Sequence, residues 1–427
     1  MMDIDKIKQK ILDLAIRGKL VPQDPNDEPA SVLVEKIKAE KEKMVKEGKI
    51  KPSKDESYIY KDSDNCYYEN QLKTIPDNWM LCRFGSIVSI KRGASPRPIK
   101  SHLTNSEDGV NWIKIGDALP GDIYINSTAQ KIKKESIDKS VFLKKGALIL
   151  SNSMSFGRPY ILNIDGCIHD GWLAIEIYDN SINKEFLQYI LQGYMWYFKS
   201  KASGSGVDNL NIDKVKDMPF ALPPIKEQKR ILNKLRKIDE FLKKIDVAYD
   251  EIQNYAEAIK HKILNLYFGE NSSYKSYYGK KKIKEIIKPQ SIGNLEIKIK
   301  NIQSLGTIPV VSQSAALIDG FVNECVKPLS EVPYIVFGDH TKNVKYIDFP
   351  FIPGADGTKV FKPMDGIEPK LLYYYSLYAS NNIESCGYAR HFSKFKNVTV
   401  PIFDVNTQKN IICKLDKAFA LIDDYIR

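Results

Sequence analysis

The chain has 427 residues, 43% hydrophobic and 27% charged, with 64 Lys and Arg against 53 Asp and Glu and a formal net charge of +11. That length buries two or three cores, no run approaches the roughly 20 apolar residues of a membrane span, and the charged amphipathic Met1 to Leu20 is unlike a signal peptide, so a cytoplasmic protein is expected. The basic excess favours a polyanionic partner, while six scattered cysteines (Cys66, Cys82, Cys167, Cys325, Cys386, Cys413), with no CxxC pair and no His at ligand spacing, argue against zinc and against a disulfide framework.

In chain order, residues 1–48 are helical: Ile4, Ile7, Ile11 and Leu14 recur at alternating spacings of three and four, and a second amphipathic stretch follows at Ala30 to Glu47. Residues 49–76 are polar and lysine-rich and are taken as a linker. Residues 77–222 carry strand-like runs at Ser86 to Ile90, Asn111 to Ile115, Ala147 to Leu150 and Leu173 to Tyr178, then a helix at Lys184 to Lys199. Residues 223–269 form a long helix: Ile231, Leu235, Ile238, Leu242, Ile245, Tyr249, Ile252, Ala256, Ile259, Ile263 and Leu266 alternate by four and three over five heptads. Residues 270–402 repeat the mixed pattern, with strands at Ile283 to Ile287, Ile308 to Val311 and Tyr334 to Phe337 and a helix at Pro369 to Ser380. Residues 403–427 begin another heptad helix through Ile411, Leu415, Ala418, Ile422 and Tyr425.

The helices repeat in permuted order. At a shift of 180, Lys216/Lys396, Gln228/Gln408, Lys229/Lys409, Ile231/Ile411, Lys234/Lys414, Leu235/Leu415 and Lys237/Lys417 are identical. At a shift of 252, Ile7-Lys8, Lys10-Ile11-Leu12 and Leu14 match Ile259-Lys260, Lys262-Ile263-Leu264 and Leu266. Joined tail to head, the two termini rebuild one copy of the centre, lacking only the counterparts of Ala248 to Ile252. Such a ring has pseudo-twofold symmetry, which mirrors a two-part partner. About 40 helical residues make a rod of roughly 60 Å, and two matching rods from one chain are expected to pair antiparallel. Pro223-Pro224 suits the switch from strand to helix, and Glu227 falls in the first turn, where the helix dipole favours an acid.

Three motifs carry a family resemblance. Leu12 to Ala30 (LDLAIRGKLVPQDPNDEPA) followed by a lysine-rich helix, Ile75-Pro-Asp-Asn-Trp79, and Leu222-Pro-Pro-Ile-Lys-Glu-Gln228 resemble the specificity (S) subunits of type I restriction-modification systems over essentially the whole chain. The resemblance implies an α/β fold with two target recognition domains, 77–222 and 270–402, separated by two long antiparallel coiled-coil helices in a circularly permuted, pseudo-twofold repeat. It implies that each domain reads one half of a split double-stranded DNA site and that the helices dock two methyltransferase subunits. S-adenosylmethionine would be bound by those subunits, and ATP and Mg²⁺ by the restriction subunits, with no cofactor on this chain. One departure is visible: the second copy of the Pro-Pro-x-x-Glu-Gln turn reads Phe403-Asp-Val-Asn-Thr-Gln408.

Phosphates need donors and base edges need short or forked polar side chains, so the DNA-contacting loops are sought where Arg, Lys, Ser, Asn and Gly cluster. In the first domain these are Lys91, Arg92, Ser95 and Arg97, then Asn152, Ser153 and Arg158, then Ser203 and Ser205. In the second they are Ser312 and Gln313, His340 and Lys342, and Tyr388, Arg390 and His391.

Catalysis is not expected. Leu222-Pro-Pro-Ile lacks the polar lead and the aromatic of an adenine methyltransferase tetrapeptide, there is no GxxxxGK[ST] loop, and the adjacent pairs His169-Asp170 and Asp339-His340 would not face each other on a strand. The alternative from another class is a coiled-coil scaffold whose α/β domains bind protein. Salt-dependent DNA binding separates the two.

Overall fold

A computed structural model of the chain describes residues 4–48, 50, 75–153, 157–178, 181–202, 210–272, 274, 278–292, 297, 302–323, 327–354, 357–384 and 390–426. Two compact units divide it, Met1–Asp246 and Val247–Arg427. Among the described residues no helix is long and apolar enough to cross a membrane.

The first unit opens with α1 (Ile4–Ile16), which turns Leu12, Ala15 and Ile16 inward. Gly18 then takes φ +67, where a Cβ would strike Pro76, and reverses the chain. Helix α2 (Ala30–Lys46) buries Ala30, Leu33, Val34 and Ile37. Strand β1 (Met80–Arg83) pairs antiparallel with β12 (Pro219–Leu222), so the domain's entry and exit lie side by side. Between them run β2 (Val88–Arg92), β3 (Leu103–Thr104), β4 (Val110–Ile113), β5 (Tyr124–Ile125), β6 (Lys131–Ile132), β7 (Val141–Leu143), β8 (Leu148–Ser151), β9 (Pro159–Leu162), β10 (Gly166–Ile168) and β11 (Trp172–Ile177), in two five-stranded sheets ordered β2-β11-β8-β9-β5 and β3-β6-β4-β10-β7.

Side chains alternate across β8 and β11, which produces three layers. Leu148, Leu150, Leu173 and Ile175 face the core built with α3 (Lys184–Gly193) and α4 (Met195–Ala202), while Ile149, Trp172 and Ala174 join Ile113 and Ile168 of the other sheet. The helix expected over Lys184 to Lys199 is broken at Gly193-Tyr194. A Cβ on Gly193 would lie 2.6 Å from Ile16 Cδ1, so the absence of a side chain is what admits α1 against α3.

Helix α5 (Ile225–Phe268) has 44 residues, about 66 Å at 1.5 Å per residue. Its first part belongs to the first unit and its remainder to the second.

The second unit contains β13 (Lys280–Lys282), β14 (Ile287–Pro289), β15 (Ile308–Val311), β16 (Gly320–Val322), β17 (Tyr334–Gly338), β18 (Val344–Ile347), β19 (Ile352–Pro353), β20 (Thr358–Pro363), α6 (Pro369–Asn381), β21 (Thr399–Pro401) and α7 (Val405–Tyr425). Its sheets repeat the first unit's plan. The entry and exit pair β13-β21 stands for β1-β12, the order β14-β20-β17-β18 for β2-β11-β8-β9, and the parallel pair β15-β19 for β4-β10. The layering recurs too: Ile335, Phe337 and Phe361 pack with α6, and Val336 and Val360 face away from it with Val311.

Two strand expectations start too early, and in the same way. Phe84–Ile87 and Ile283–Glu285 are single helical turns between the entry strand and the next sheet, where the sequence reads as continuous strand. Ile87 and Ile283 are buried in these turns, so the apolar signal is genuine while its period is not that of a strand.

Within each unit a terminal helix runs antiparallel to α5. In the first, Lys8 Nζ meets Asp239 Oδ1 at 2.9 Å and Gln23 Nε2 donates to Glu227 Oε1 at 2.6 Å, so positions ascend on one side as they descend on the other. In the second, Lys260 Nζ meets Asp423 Oδ1 at 2.7 Å and Lys414 Nζ reaches the Tyr274 hydroxyl at 2.8 Å. The single heptad seam needs correction. Ile231, Leu235, Leu242 and Ala256 are buried as expected, but Ile252, Ile259 and Leu266 are exposed, and Leu264 and Phe268 carry the packing instead. A helix of 3.6 residues per turn drifts about 20° per heptad against a 3.5 repeat, so the buried face rotates along the rod.

Candidate nucleic-acid interface

Two segments of the first unit, one following β2 and one following β8, converge on the turn from β10 to β11. The turn is His169-Asp170-Gly171, and Asp170 is its hub: its Oδ1 accepts from the Ser95 hydroxyl at 2.7 Å and lies 2.9 Å from His169 Nε2, and its Oδ2 is 3.7 Å from an Arg97 terminal nitrogen. The Asp170 carbonyl accepts from Arg92 Nε at 3.0 Å and from Asn152 Nδ2 at 3.3 Å. Gly93 makes this closure possible, because a Cβ there would lie 2.2 Å from the His169 carbonyl oxygen. Asn152, distant in sequence, is therefore a neighbour in space of Arg92, Ser95 and Arg97.

His169 and Asp170 do face each other, against the sequence expectation, because they sit in a turn and not on a strand. The His169 Nδ1 accepts from the Gly171 N–H at 2.9 Å, which leaves the proton on Nε2, pointed at Asp170. Burial lowers the His169 pKa, Asp170 opposes that shift, and Lys114, Arg92 and Arg97 reinforce it. For Asp170 burial works upward, but the Ser95 hydroxyl, His169 and Arg92 outweigh it and hold the carboxyl below its ordinary value.

Beside the turn lies a groove of about 900 Å³ with Trp112, Leu103 and Ile99 in its lining and Arg97, Lys100 and Lys114 as its cations. Lys100, Trp112, Lys114 and Gln130 were not among the residues singled out from sequence, and His169 and Asp170 were weighed there only as a catalytic pair. The Asp-Gly turn dipeptide at 170–171 was the available signal.

The remaining first-unit candidates surround the same edge. Lys91 is exposed on β2, Ser153 is half-buried against Gly171, and half-buried Arg158 lies by the Tyr160 hydroxyl while its N–H donates to Ser151 Oγ at 3.0 Å. Ser203 and Ser205 lie outside the described residues.

In the second unit the Gln313 carbonyl accepts from Thr341 Oγ1 at 2.6 Å and Asn343 Nδ2 at 3.0 Å, and its Oε1 accepts from the His340 N–H at 3.1 Å, so the Ser312-Gln313 and 340–342 loops form one cluster. The Ser312 N–H donates to Asp319 Oδ2 at 2.6 Å. Lys342 takes φ +62 and its Nζ donates to the Ile383 carbonyl at 3.3 Å. His391 is 1% exposed with Nδ1 2.9 Å from the Asp339 carbonyl, whereas Arg390 is exposed. Tyr388 lies outside the described residues.

The two clusters occupy one topological station. The Asn152 N–H donates to the Gly171 carbonyl at 2.9 Å and its carbonyl accepts from Leu210 N–H at 2.9 Å; Asp339 makes the same pair with Gly357 and His391, each at 2.8 Å.

The three sequence motifs also meet. Glu227 is fully buried, accepting from Gln23 Nε2 at 2.6 Å and from Trp79 Nε1 at 3.0 Å; Arg230 bonds Asp27 at 2.6 Å, and Ala30 N–H donates to the Asn78 carbonyl at 2.9 Å. Glu227 is thus more than a well-placed helix start: it ties the N-terminal segment, the entry to β1 and α5 together.

The chain thus consists of two α/β units on one plan, joined by a long helix and each presenting a polar loop cluster at the same sheet edge. Residues 76–253 match the family model for the type I restriction modification DNA specificity domain. The chain is 30% identical over 256 residues to the EcoAI type I restriction enzyme specificity subunit of Escherichia coli, covering 57% of this chain and 41% of that protein. It is 25% identical over 269 residues to the EcoEI specificity subunit of the same organism, covering 60% and 43%. The chain therefore spans less than half the length of these relatives. A chain in a solved type I restriction-modification structure, concerned with complex assembly and conformational transition, covers 82% of this chain and 93% of its own length at a TM-score of 0.55 and 15% identity, a likeness of fold. Residues 76–253 thus carry a type I restriction modification DNA specificity domain, and the chain is similar to specificity subunits of type I restriction enzymes.

Proposed function

We propose that this chain is the DNA-reading subunit of a type I restriction-modification assembly. Residues 77–222 and 270–402 act as two target recognition domains, each reading one half of a bipartite duplex site, and the helices set the spacer between them. The observation that carries this is the convergence of Arg92, Ser95, Arg97 and Asn152 on Asp170 beside Lys100 and Lys114, which combines donors for phosphate with forked and short side chains for base edges. The chain performs no chemistry in this reading. Methyltransferase subunits bring S-adenosylmethionine and restriction subunits bring ATP and Mg²⁺.

A docking role for α5 is supported by Ile252, Tyr255, Ile259 and Leu266, exposed apolar residues at spacings of three, four and seven along one face. The test is selection of a randomised duplex library by the full chain with its methyltransferase subunits present. A split consensus, with affinity falling log-linearly in salt, is expected. Absence of any duplex binding would refute the proposal.

A further inference from the structure

We infer that Asp170 is a positioning residue that turns the cationic groove of the first unit from a general phosphate binder into a reader of base edges. This rests on the DNA-reading function proposed above. Among the described residues lining the groove, Asp170 is the only carboxylate, beside Arg97, Lys100 and Lys114. A carboxylate facing a polyanion is repelled by phosphate, so its presence has to be offset by what it arranges. It arranges four groups: Ser95 and Arg97 through the carboxylate, and Arg92 and Asn152 through the main-chain carbonyl. Ser95 and Asp170 are doubly tied, since the Asp170 N–H also donates to Ser95 Oγ at 3.4 Å.

Arg97 shows why steering matters. Its side chain is 84% exposed, and a long free side chain loses rotamer entropy when it engages a base. A carboxylate at 3.7 Å biases the guanidinium to one side of the groove and offsets part of its charge, which lowers attraction to any phosphate while leaving the donor fork intact. The second unit carries Asp356-Gly357 in sequence at the matching place, between β19 and β20 as Asp170-Gly171 lies between β10 and β11. Asp356 is outside the described residues, but Gly357 makes the backbone bond that Gly171 makes. Recurrence in two diverged units fits a residue that supports the reading loop better than one that reads a base itself.

The experiment compares the full-length wild type, Asp170→Asn and Ser95→Ala, with methyltransferase subunits present, on a randomised duplex library and on one random-sequence duplex across a salt series. Asp170→Asn is expected to bind the random duplex more tightly, with a log–log salt slope steeper by up to about one, while preference in one half-site falls about tenfold and the other half-site is unchanged. Ser95→Ala removes a hydrogen bond without changing charge, so it should lose preference in that same half-site at an unaltered slope. Unchanged preference in Asp170→Asn, or equal weakening on all sequences, overturns the inference. If Asp170→Asn lacks a cooperative melting transition, Ser95→Ala decides, and its unchanged preference overturns the inference too. A wild type that selects no sequence refutes the DNA-reading function itself, whereas selection by wild type with both variants unaltered refutes only the role of Asp170.

Discussion

Gln228 and Gln408, 180 positions apart, hold the same station in their units. Gln228 Oε1 accepts from the Asn183 N–H at 3.0 Å, at the start of α3, and its Nε2 donates back to the Pro223 carbonyl at 3.1 Å. Gln408 Oε1 accepts from the Glu368 N–H at 2.8 Å, at the start of α6, and its Nε2 donates to the Phe403 carbonyl at 2.9 Å. Both side chains are fully buried. Each therefore locks the rod to a helix of its own unit, α3 in the first and α6 in the second, satisfying backbone groups at two helix starts at once.

The first prediction follows from that burial. Gln228→Leu or Gln408→Leu fills the space but leaves a buried N–H and C=O unpaired, at a cost of roughly 1–3 kcal/mol each. Urea denaturation should show two losses of similar size, since the stations are equivalent. A change within about 0.5 kcal/mol at either site would show that the bond there contributes nothing net.

Glu227 gives the stability a pH dependence. Burial raises its carboxyl above the ordinary value against the pull of the Trp79 and Gln23 N–H groups. The folded chain thus holds this proton more tightly than the unfolded one, so the contribution is complete below the ordinary carboxylate value near about 4.3 and is lost as pH rises through the raised folded value. Glu227→Gln should flatten stability against pH above about 4.3, measured by denaturant midpoint. A profile parallel to wild type would mean that the shift is absent. At position 407, the counterpart of Glu227, Thr407 bonds Asp404, which caps α7, so no matching effect is expected from the second unit.

The rotated seam of α5 leaves one face packed and another exposed. Phe268→Ala should cost about 3–5 kcal/mol as a buried aromatic deletion, while Ile259→Ser, on the exposed face, should change stability by no more than about 0.5 kcal/mol. Combined Tyr255→Ala and Ile259→Ser should abolish co-purification of the methyltransferase subunit from a folded chain. Retained co-purification would remove this face from the docking surface.

How much of this was legible in sequence differs by level. The permuted repeat was readable because Gln228/Gln408, Ile231/Ile411 and Leu235/Leu415 are identical buried residues whose neighbours leave no alternative. The sheet plan was readable only in outline: strand signals survive at β8 and β17, but the turns at Phe84–Ile87 and Ile283–Glu285 carry the same apolar residues as a strand. At the interface, composition pointed to Arg92, Ser95 and Arg97, which lie on one loop. It missed Asp170, Lys114 and Lys100, because their part depends on which loops the topology folds together. His391 drew notice as a polar loop residue, yet its ring is spent on the Asp339 backbone, a tertiary bond that no local pattern encodes.

The last prediction concerns independence of the two units. Arg97 lies beside the Asp170 hub of the first unit, and exposed Arg390 adjoins the His391–Asp339 junction of the second. If each guanidinium reads a guanine edge, losing it removes roughly 1–3 kcal/mol of discrimination at one position; a phosphate contact would instead weaken all sequences alike and lower the salt slope by about one. Arg97→Ala should therefore relax one position of one half-site and leave the other half intact, and Arg390→Ala should do the converse. Selection and sequencing of bound duplexes with the salt slope measured in parallel tells these apart: uniform weakening with a reduced slope makes the arginines backbone contacts, and relaxation of both half-sites by one substitution would break the assignment of one half-site to each unit.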